Sequence, residues 1–192
     1  DNYDGGKSKF VGYMTDLSLF IGTDKKSENY DKYKVMDLDF SPAYESFIFN
    51  DKFNKVVLQP VNFNQRDYYK GRYCVYFDGT SNKQIQTTKN NLLNFEFDDF
   101  IIRIDFLMYA NDLALDKWKL LLGTGSLVSS TDYCYLGVSP ITTSGKPSSL
   151  TFTVVNNSQA ITIQSQEDIT PDSWESVYFG RINGVYKLIY KG

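Results

Sequence analysis

The sequence predicts an all-β protein built as a sandwich of antiparallel strands. Only five of its 23 acidic residues are glutamate; the others are aspartate, which favours turns and is a poor helix former. Aromatic residues make up 16% of the chain, and their side chains suit the half-buried surface of a sheet. Strand-like segments follow one another at short intervals, each bounded by Gly, Asn, Asp or Ser. Such spacing is typical of a sandwich rather than of alternating strands and helices.

Eleven segments have the composition of strands. In chain order they are residues 12–21, 33–40, 55–61, 73–77, 100–109, 118–122, 134–138, 149–155, 160–164, 174–181 and 185–190. The clearest local signal is the dipeptide Asn183-Gly184, which separates the last two. A two-residue type I′ turn needs positive φ at both positions, and Asn-Gly meets that need best. We therefore predict a tight hairpin at this dipeptide.

Residues 111–122 allow two interpretations. Asn111 is a good helix N-cap, and three apolar residues recur at helical spacing, namely Leu115, Trp118 and Leu122. The short apolar run at 120–122 also suits a buried strand. We expect a loop or a single helical turn at 110–116, followed by a strand.

Composition excludes several function classes. The chain contains no histidine, which removes Ser-His-Asp and Cys-His catalysis and the HExxH zinc site. A net charge of -3 with scattered basic residues argues against binding of nucleic acid, and no apolar run approaches the roughly 20 residues of a membrane span, so no membrane insertion is expected. Cys74 and Cys134 are too few for a disulfide scaffold, and we expect free thiols.

Two blocks carry a resemblance to a known group of domains. Residues 75–85 (VYFDGTSNKQI) followed by 99–106 (DFIIRIDF) are similar to the laminin-G-like, concanavalin A-like sandwich domains. The order continues through 120–125 (LLLGTG) and 168–174 (DITPDSW) into the Asn-Gly hairpin. The resemblance implies an antiparallel jelly-roll β-sandwich over residues 33–192.

Strand alternation and the resemblance together predict a core. Its expected members are Val75, Phe77, Ile102, Ile104, Phe106, Leu121, Phe152, Val154, Trp174, Val177, Phe179 and Leu188.

Residues 10–22 resemble the strand that closes such a sandwich, although in the family this strand comes last. Either residues 1–30 are the closing strand of a preceding copy plus a linker, or the strand closes the same sandwich in permuted order. We favour the preceding copy, because residues 33–40 resemble a first strand of the family. Domain 33–192 is then expected to be truncated at its C-terminal end. In both cases residues 10–21 should form an antiparallel strand with Tyr13, Leu17 and Leu19 inward, opposite Thr15 and Ser18.

Catalytic and metal signals are weak. Related glucanases carry Glu-x-Asp followed by a second Glu, whereas Glu96-Phe97-Asp98 has no such partner, so we expect no enzyme. The resemblance also raises calcium at the sandwich rim. Its candidate donors, Asp78, Asp105, Asp132 and Asp168, are scattered, and we interpret them as turn-forming residues. No metal and no cofactor is predicted.

Glycan binding needs aromatic rings that stack on sugars, with amide or carboxylate groups nearby. The candidate residues are Trp118, Asp132, Tyr133, Tyr135 and Asn156.

The resemblance implies two possible functions. The first is a non-catalytic structural or adhesion module of a bacteriophage virion, in a head decoration, tail or fibre, with host-surface glycans as possible ligands. Its partners would be other virion proteins or further domains of the same polypeptide. The second is a carbohydrate-binding module of a secreted or cell-surface bacterial protein.

Overall fold

The computed structural model describes residues 7–22, 34–39, 50–51, 58–61, 67–79, 84–87, 99–113, 118–124, 133–139 and 148–191. Within these ranges the elements are strands and one short helix. The strands are β1 Lys7–Lys9, β2 Val11–Ile21, β3 Lys34–Asp39, β4 Asn50–Asp51, β5 Leu58–Val61, β6 Asp67–Tyr69, β7 Arg72–Asp78, β8 Gln84–Thr87, β9 Phe100–Leu107, β10 Trp118–Thr124, β11 Tyr133–Val138, β12 Ser149–Asn156, β13 Gln159–Asp168, β14 Glu175–Ile182 and β15 Val185–Tyr190. The helix is α1 Ala110–Leu113.

The strands form two main sheets. The smaller sheet has the order β1-β10-β11-β12-β13, and the larger has the order β15-β14-β9-β2-β3-β4, with β7 paired to β2 and β6 paired to β7. Apart from the parallel pair of β1 and β10, the pairs are antiparallel, and β5 and β8 form a separate ribbon. The predicted all-β sandwich is confirmed, while its jelly-roll connectivity stays a prediction.

The local expectations hold where the structure describes them. Each of the eleven predicted segments overlaps a strand. One helical turn, α1, precedes β10, as expected for 110–122. Asn183 and Gly184 both have positive φ, 56° and 74°, in the two-residue loop between β14 and β15. The carboxylate of Asp99 accepts hydrogen bonds from both of their backbone N–H groups, at 2.7 and 2.9 Å.

The core lies between the two sheets. Phe152 of the smaller sheet packs against Phe179 and Tyr186 of the larger one, with ring centroids 5.1 and 6.2 Å apart. Most of the predicted core is confirmed as buried: Val75, Ile102, Ile104, Phe106, Leu121, Phe152, Val177 and Phe179; Phe77, Val154 and Leu188 are partly buried against them.

Trp174 was wrongly placed in the core. Val177 and Phe179 point inward from β14, so alternation directs Glu175 inward and Trp174 to the other face. There the Trp174 indole N–H donates to the carbonyl of Tyr69 at 3.3 Å.

Strand β2 lies inside the larger sheet, between β9 on one side and β3 and β7 on the other. The expected antiparallel strand is confirmed. Strand β2 is thus part of the larger sheet, and both explanations for residues 1–30 stay predictions.

A bulge in β2 corrects its predicted inward residues. The register with β9 shifts between Thr15 and Ser18, where Asp16 has a positive φ of 50°. Because a bulge reverses the alternation, Met14 faces the core before it and Leu17 and Leu19 face the core after it. Leu17 and Leu19 are confirmed as inward, and the prediction for Tyr13 is wrong.

Candidate functional site

The outer face of the larger sheet carries a group of four tyrosines, Tyr13, Tyr69, Tyr76 and Tyr109, which we call the tyrosine cluster. Tyr13 stacks on Tyr69 with ring centroids 4.4 Å apart, and it also contacts Tyr76 at 5.1 Å and Tyr109 at 6.1 Å. Tyr69 and Tyr109 meet edge to face at 6.4 Å. The four rings therefore form one continuous aromatic surface.

Strand alternation and pairing create this cluster. Val75 and Phe77 point into the core, so Tyr76 between them points outward. Tyr13 is the direct antiparallel partner of Tyr76 and therefore lies on the same face. Tyr69 reaches the cluster through the tight turn at Lys70 and Gly71, both at positive φ, which joins β6 to β7.

An open depression of about 510 Å³ adjoins the cluster. Its lining combines aromatic, amide and carboxylate groups with small apolar ones: Val11, Tyr76, Tyr109, Ala110, Asn111, Asp112 and Asp172. Helix α1 supplies three of these residues directly after Tyr109. The side chains therefore come from β2, β7, α1 and the segment between β13 and β14.

Backbone contacts hold Asp172 at the depression. Its N–H donates to the carbonyl of Met108 at 2.8 Å, and its own carbonyl accepts a hydrogen bond from the Lys70 ammonium. Asp172 has a positive φ of 57°, a conformation that Asp tolerates better than most residues. The segment after β13 is thereby tied to both β9 and the turn at Lys70.

Burial changes the proton affinity of the lining groups. It raises the pKa of Asp112, against the attraction of the Lys119 ammonium. Burial, followed by the nearby carboxylate of Asp112, raises the pKa of Tyr76. Burial and then hydrogen bonds with Tyr13 and Tyr69 raise the pKa of Tyr109. The phenols consequently stay neutral and able to donate hydrogen bonds near pH 7.

A charged network lies beside the tyrosine cluster on the same face. The carboxylate of Asp105 is fully buried and accepts hydrogen bonds from Arg72 at 2.7 Å and from Arg103 at 3.2 and 2.9 Å. The Arg72 guanidinium lies 5.4 Å from the Trp174 ring, and Asp16 approaches Arg72 at 3.9 Å. The network fixes β2, β7 and β9 against one another and so positions the strands that carry the tyrosines.

The glycan-binding residues proposed from sequence lie mainly on the smaller sheet. Tyr133 and Tyr135 are neighbours on β11 with stacked rings 6.1 Å apart. Asn156 ends β12 beside Tyr133. Tyr135 pairs with Gly123 near the end of β10, whereas Trp118 lies at the beginning of β10 and therefore far from the two tyrosines. Asp132 lies outside the described residues. The structure therefore brings together the two tyrosines with Asn156 but not Trp118, and the binding role of these residues stays a prediction.

Of the four aspartates that the resemblance raised as calcium donors, the three in the described residues do not meet. Asp105 is neither at the rim nor in a turn, because it lies in mid-strand between two arginines. Asp78 and Asp168 end two strands in different sheets, and Asp132 is outside the described residues. The described part of the chain holds no group of three or more metal-ligating side chains.

Two further predictions concern reactive groups. Glu96-Phe97-Asp98 lies outside the described residues. Cys74 and Cys134 are free and buried, as expected. Burial raises the pKa of the Cys74 thiol to about 11, so it stays protonated and unreactive at neutral pH.

Sequence reasoning missed the depression. Tyr76 lay within the block that carried the resemblance and Asp172 within a Pro-Asp turn, but no local motif links them. One signal could have been used: Tyr76 lies between two core residues of a strand, so alternation directs its side chain outward. The partner that completes the surface, Tyr13, was assigned to the opposite face because of the bulge in β2.

Comparison with protein families, curated proteins and solved structures finds no match for this chain. The likeness to laminin-G-like domains therefore stays a prediction from the sequence. Among the described residues, no helix has the length and apolar character needed to cross a membrane.

Proposed function

We propose that this protein is a non-catalytic adhesion module that binds glycans through the depression beside the tyrosine cluster. The observation that carries the proposal is the lining: two tyrosine rings, one amide and two carboxylates around an open depression of about 510 Å³. Ligand sites commonly combine apolar and aromatic walls with a few placed polar groups. A sugar presents the matching surfaces, an apolar C–H face and a rim of hydroxyls.

The ring faces and the polar groups have separate tasks. Tyr76 and Tyr109 offer ring surfaces on which a sugar ring can lie. Asn111 supplies both a donor and an acceptor, and Asp172 accepts from sugar hydroxyls. Hydrogen bonds to charged groups contribute about 1.5–3 kcal/mol each, which is enough to orient a weakly held sugar.

The charge of the depression restricts its ligands. Two carboxylates line it, and none of its lining residues is lysine or arginine. An acidic sugar would bring a like charge close to Asp112 and Asp172, which costs free energy in a partly desolvated site. We therefore propose neutral glycans in preference to sialylated or uronic ones.

One observation favours an enzyme instead. Two carboxylates share the depression, and burial raises the pKa of one of them, Asp112. A glycosidase uses such a pair, with a protonated acid and an ionised partner. Release of cleaved sugar from a bound glycan, lost in Asp112→Asn, would establish this alternative and contradict a non-catalytic module.

The setting that we propose is a bacteriophage particle, where the module would be displayed together with other virion proteins or further domains of its own polypeptide. Its support is the sequence resemblance given above. A carbohydrate-binding module of a bacterial secreted or surface protein would use the same binding chemistry. Catalytic modules in the parent polypeptide would favour that second setting, and a particle-assembly domain would favour the first.

The decisive experiment is a glycan array followed by titration calorimetry with the strongest neutral ligand. Tyr76→Ala removes a ring and Asp172→Asn removes a charge, and each should weaken binding at least about tenfold, equivalent to roughly 1.4 kcal/mol. The matched control is Tyr135→Ala, which removes a half-buried tyrosine of the smaller sheet and should bind like the wild type.

Circular dichroism of each variant separates lost binding from lost folding. Binding lost in Tyr135→Ala but kept in Tyr76→Ala would move the site to the residues named from the sequence. An array with no ligand above background would contradict glycan binding altogether.

A further inference from the structure

In the described residues the two main sheets have five terminal strands, and four of them carry the usual protection against pairing with another chain. Strand β1 has only three residues, two of them lysines, and β4 has only two residues. Strand β6, which pairs with β7 alone, has only three residues. Strand β15 has six residues with Lys187 in its middle. Short length and lysine are two of the devices by which natural sheets keep their edges unpaired.

Strand β13, the fifth edge, lacks these devices. It is ten residues long, and its first eight residues, 159–166, contain no Lys, Arg, Asp, Glu, Pro or Gly. Within the described residues it pairs with β12 alone, and most of its residues are exposed. Ile161, on this edge, is 50% exposed. A long, uncharged, open edge of this kind is a template for strand addition.

We infer that β13 pairs antiparallel with β13 of a second copy of this chain, joining two smaller sheets into one continuous sheet across a twofold axis. The proposed register places Thr162 opposite Thr162 of the partner subunit. Because directly opposed residues share a face, Ile161 then lies opposite Ile163 of the partner subunit. This contact would cover the apolar surface that Ile161 exposes.

Self-complementarity of the strand supports a second copy as the occupant. In this register the residues from 159 to 165 oppose one another, and all of them are uncharged. The acidic residues Glu167 and Asp168 fall beyond the paired stretch, beside Asn156 and Asn157 of the partner subunit, so no like charges meet. A twofold interface of this kind is the commonest way in which identical chains associate.

The inner face of β13 also suits the pairing. Ile163 lies opposite Phe152 of β12 and is partly buried against the core, and Ile161 lies opposite Val154 one step farther along. The apolar row thus begins in the core and runs out along β13 into solvent. A second copy would continue this row by symmetry.

Sedimentation of the full chain from about 1 µM to 1 mM tests the pairing. The wild type should change from monomer to dimer within this range. Ile161→Lys places a charge on the edge and should raise the dissociation constant at least about tenfold. Val185→Lys is the matched control, since Val185 is 57% exposed. Its neighbours Tyr186 and Leu188 show that alternation directs it to the outer face, because Tyr186 and Leu188 pack against the core. This variant should leave the dissociation constant unchanged.

A disulfide test fixes the register. In Thr162→Cys the two sulfurs would meet across the axis, because opposed Cβ atoms lie about 4.5–5.5 Å apart. The Cβ atoms of a disulfide lie only slightly closer together, so mild oxidation can form the bond. Gln166→Cys, on the same strand, would place its sulfurs roughly 25 Å apart and should not crosslink.

A wild type that stays monomeric at 1 mM, or a dimer unaffected by Ile161→Lys, would overturn the inference. Equal crosslinking of the two cysteine variants would overturn the register. Circular dichroism of Ile161→Lys tests whether a monomeric variant is still folded. None of these readouts depends on glycan binding.

Discussion

The outer faces of the two sheets are built from different chemistry. On the larger sheet, Asp105, Arg72 and Arg103 form a charged network beside four tyrosines. On the smaller sheet, β12 carries the buried side chains of Ser149, Thr151 and Thr153, which have no charge. The outer face of the larger sheet thus contains charged groups that lose hydration on folding. The outer face of the smaller sheet contains uncharged hydroxyl groups in short contacts.

The contrast supports our proposal that the binding site lies on the larger sheet. Serine and threonine on the smaller sheet pair locally, as between Thr153 and Thr162 at 3.2 Å and between Ser139 and Ser149 at 2.8 Å. Such pairs stabilise strands without requiring a ligand. Buried charges are costly unless each is paired, so the ion pairs of Asp105 with Arg72 and Arg103 hold β7 and β9 in defined positions on this face.

The largest expected effect is on the charged face. Asp105→Asn leaves Arg72 and Arg103 without their shared carboxylate and should lower the free energy of unfolding by about 3 kcal/mol, the low end for a broken buried pair. The low end applies because both guanidiniums are partly exposed and can be hydrated. Urea denaturation measures the change.

Asp16→Asn is the control for Asp105→Asn. Asp16 belongs to the same network but its side chain is 53% exposed, and burial and then the charge of Asp105 raise its pKa. A carboxyl with a raised pKa in the folded state is destabilising once it ionises, at pH values above that pKa. Asp16→Asn should therefore be neutral or slightly stabilising at pH 7, and equal losses in the two variants would show that the network has no buried centre.

A smaller effect of opposite sign is expected on the hydroxyl face. Among the buried side-chain nitrogen and oxygen atoms of the described residues, Thr151 Oγ1 alone has no hydrogen-bond partner. Thr151→Val removes this unsatisfied group at nearly constant volume and should raise the free energy of unfolding by about 1 kcal/mol. Thr153→Val removes a hydroxyl that bonds to Thr162 and should lower it instead. Equal signs in the two variants would contradict the assignment.

Lys119 allows a pH test on the smaller sheet. Burial lowers its pKa below the usual 10.5, partly offset by Asp112. Between the lowered pKa and 10.5 Lys119 binds more protons in the unfolded chain than in the folded one, so its contribution to stability rises with pH across this window. Lys119→Met should remove that rise, as seen in urea midpoints at pH 8, 9 and 10. An unchanged slope would mean that the ammonium is hydrated in the folded protein.

The smallest effect concerns one thiol in each sheet. Cys74 and Cys134 are both buried, so a thiol reagent at pH 8 should label neither until urea unfolds the chain. For Cys74 the folded pKa of about 11 exceeds the unfolded 9.0, so its contribution to stability is lost as pH rises from 9 to 11. Fast labelling of Cys74 in Cys134→Ala would show that the larger sheet opens locally.

Much of the fold could be predicted from sequence, because the alternation of inward and outward side chains is visible in short stretches of neighbouring residues. Runs such as residues 100–107 and 149–156 alternate clearly enough to place Ile104 and Phe152 in the core. The short strands β1, β4, β6 and β8 were missed, since two to four residues are too few to show a period. The bulge at Asp16 was missed because it is a feature of pairing, and one extra residue reverses every side chain before it.

The candidate site could not be predicted, for a related reason. Tyr76, Tyr109 and Asp172 lie far apart in sequence and meet only through the pairing of β7 with β2 and of β2 with β9. Asp105 was interpreted as a turn residue, although Arg103 lies two residues before it on the same strand. Its other partner, Arg72, lies 33 residues away and reaches Asp105 only in the folded sheet. Long-range register decides the site, and composition cannot supply that register.

The position of β2 has a consequence for how the protein is made. Its neighbour β9 lies more than 80 residues later in the chain, as the pair of Phe20 with Ile101 shows. At roughly 5–20 residues per second, the ribosome releases β2 several seconds before β9 can cover it. During this interval β2 can pair with β3 and β7 but not with β9, so one of its two edges stays unpaired. Pairings this distant in sequence also slow folding, so β2 is a segment that chaperones can bind until β9 has been made.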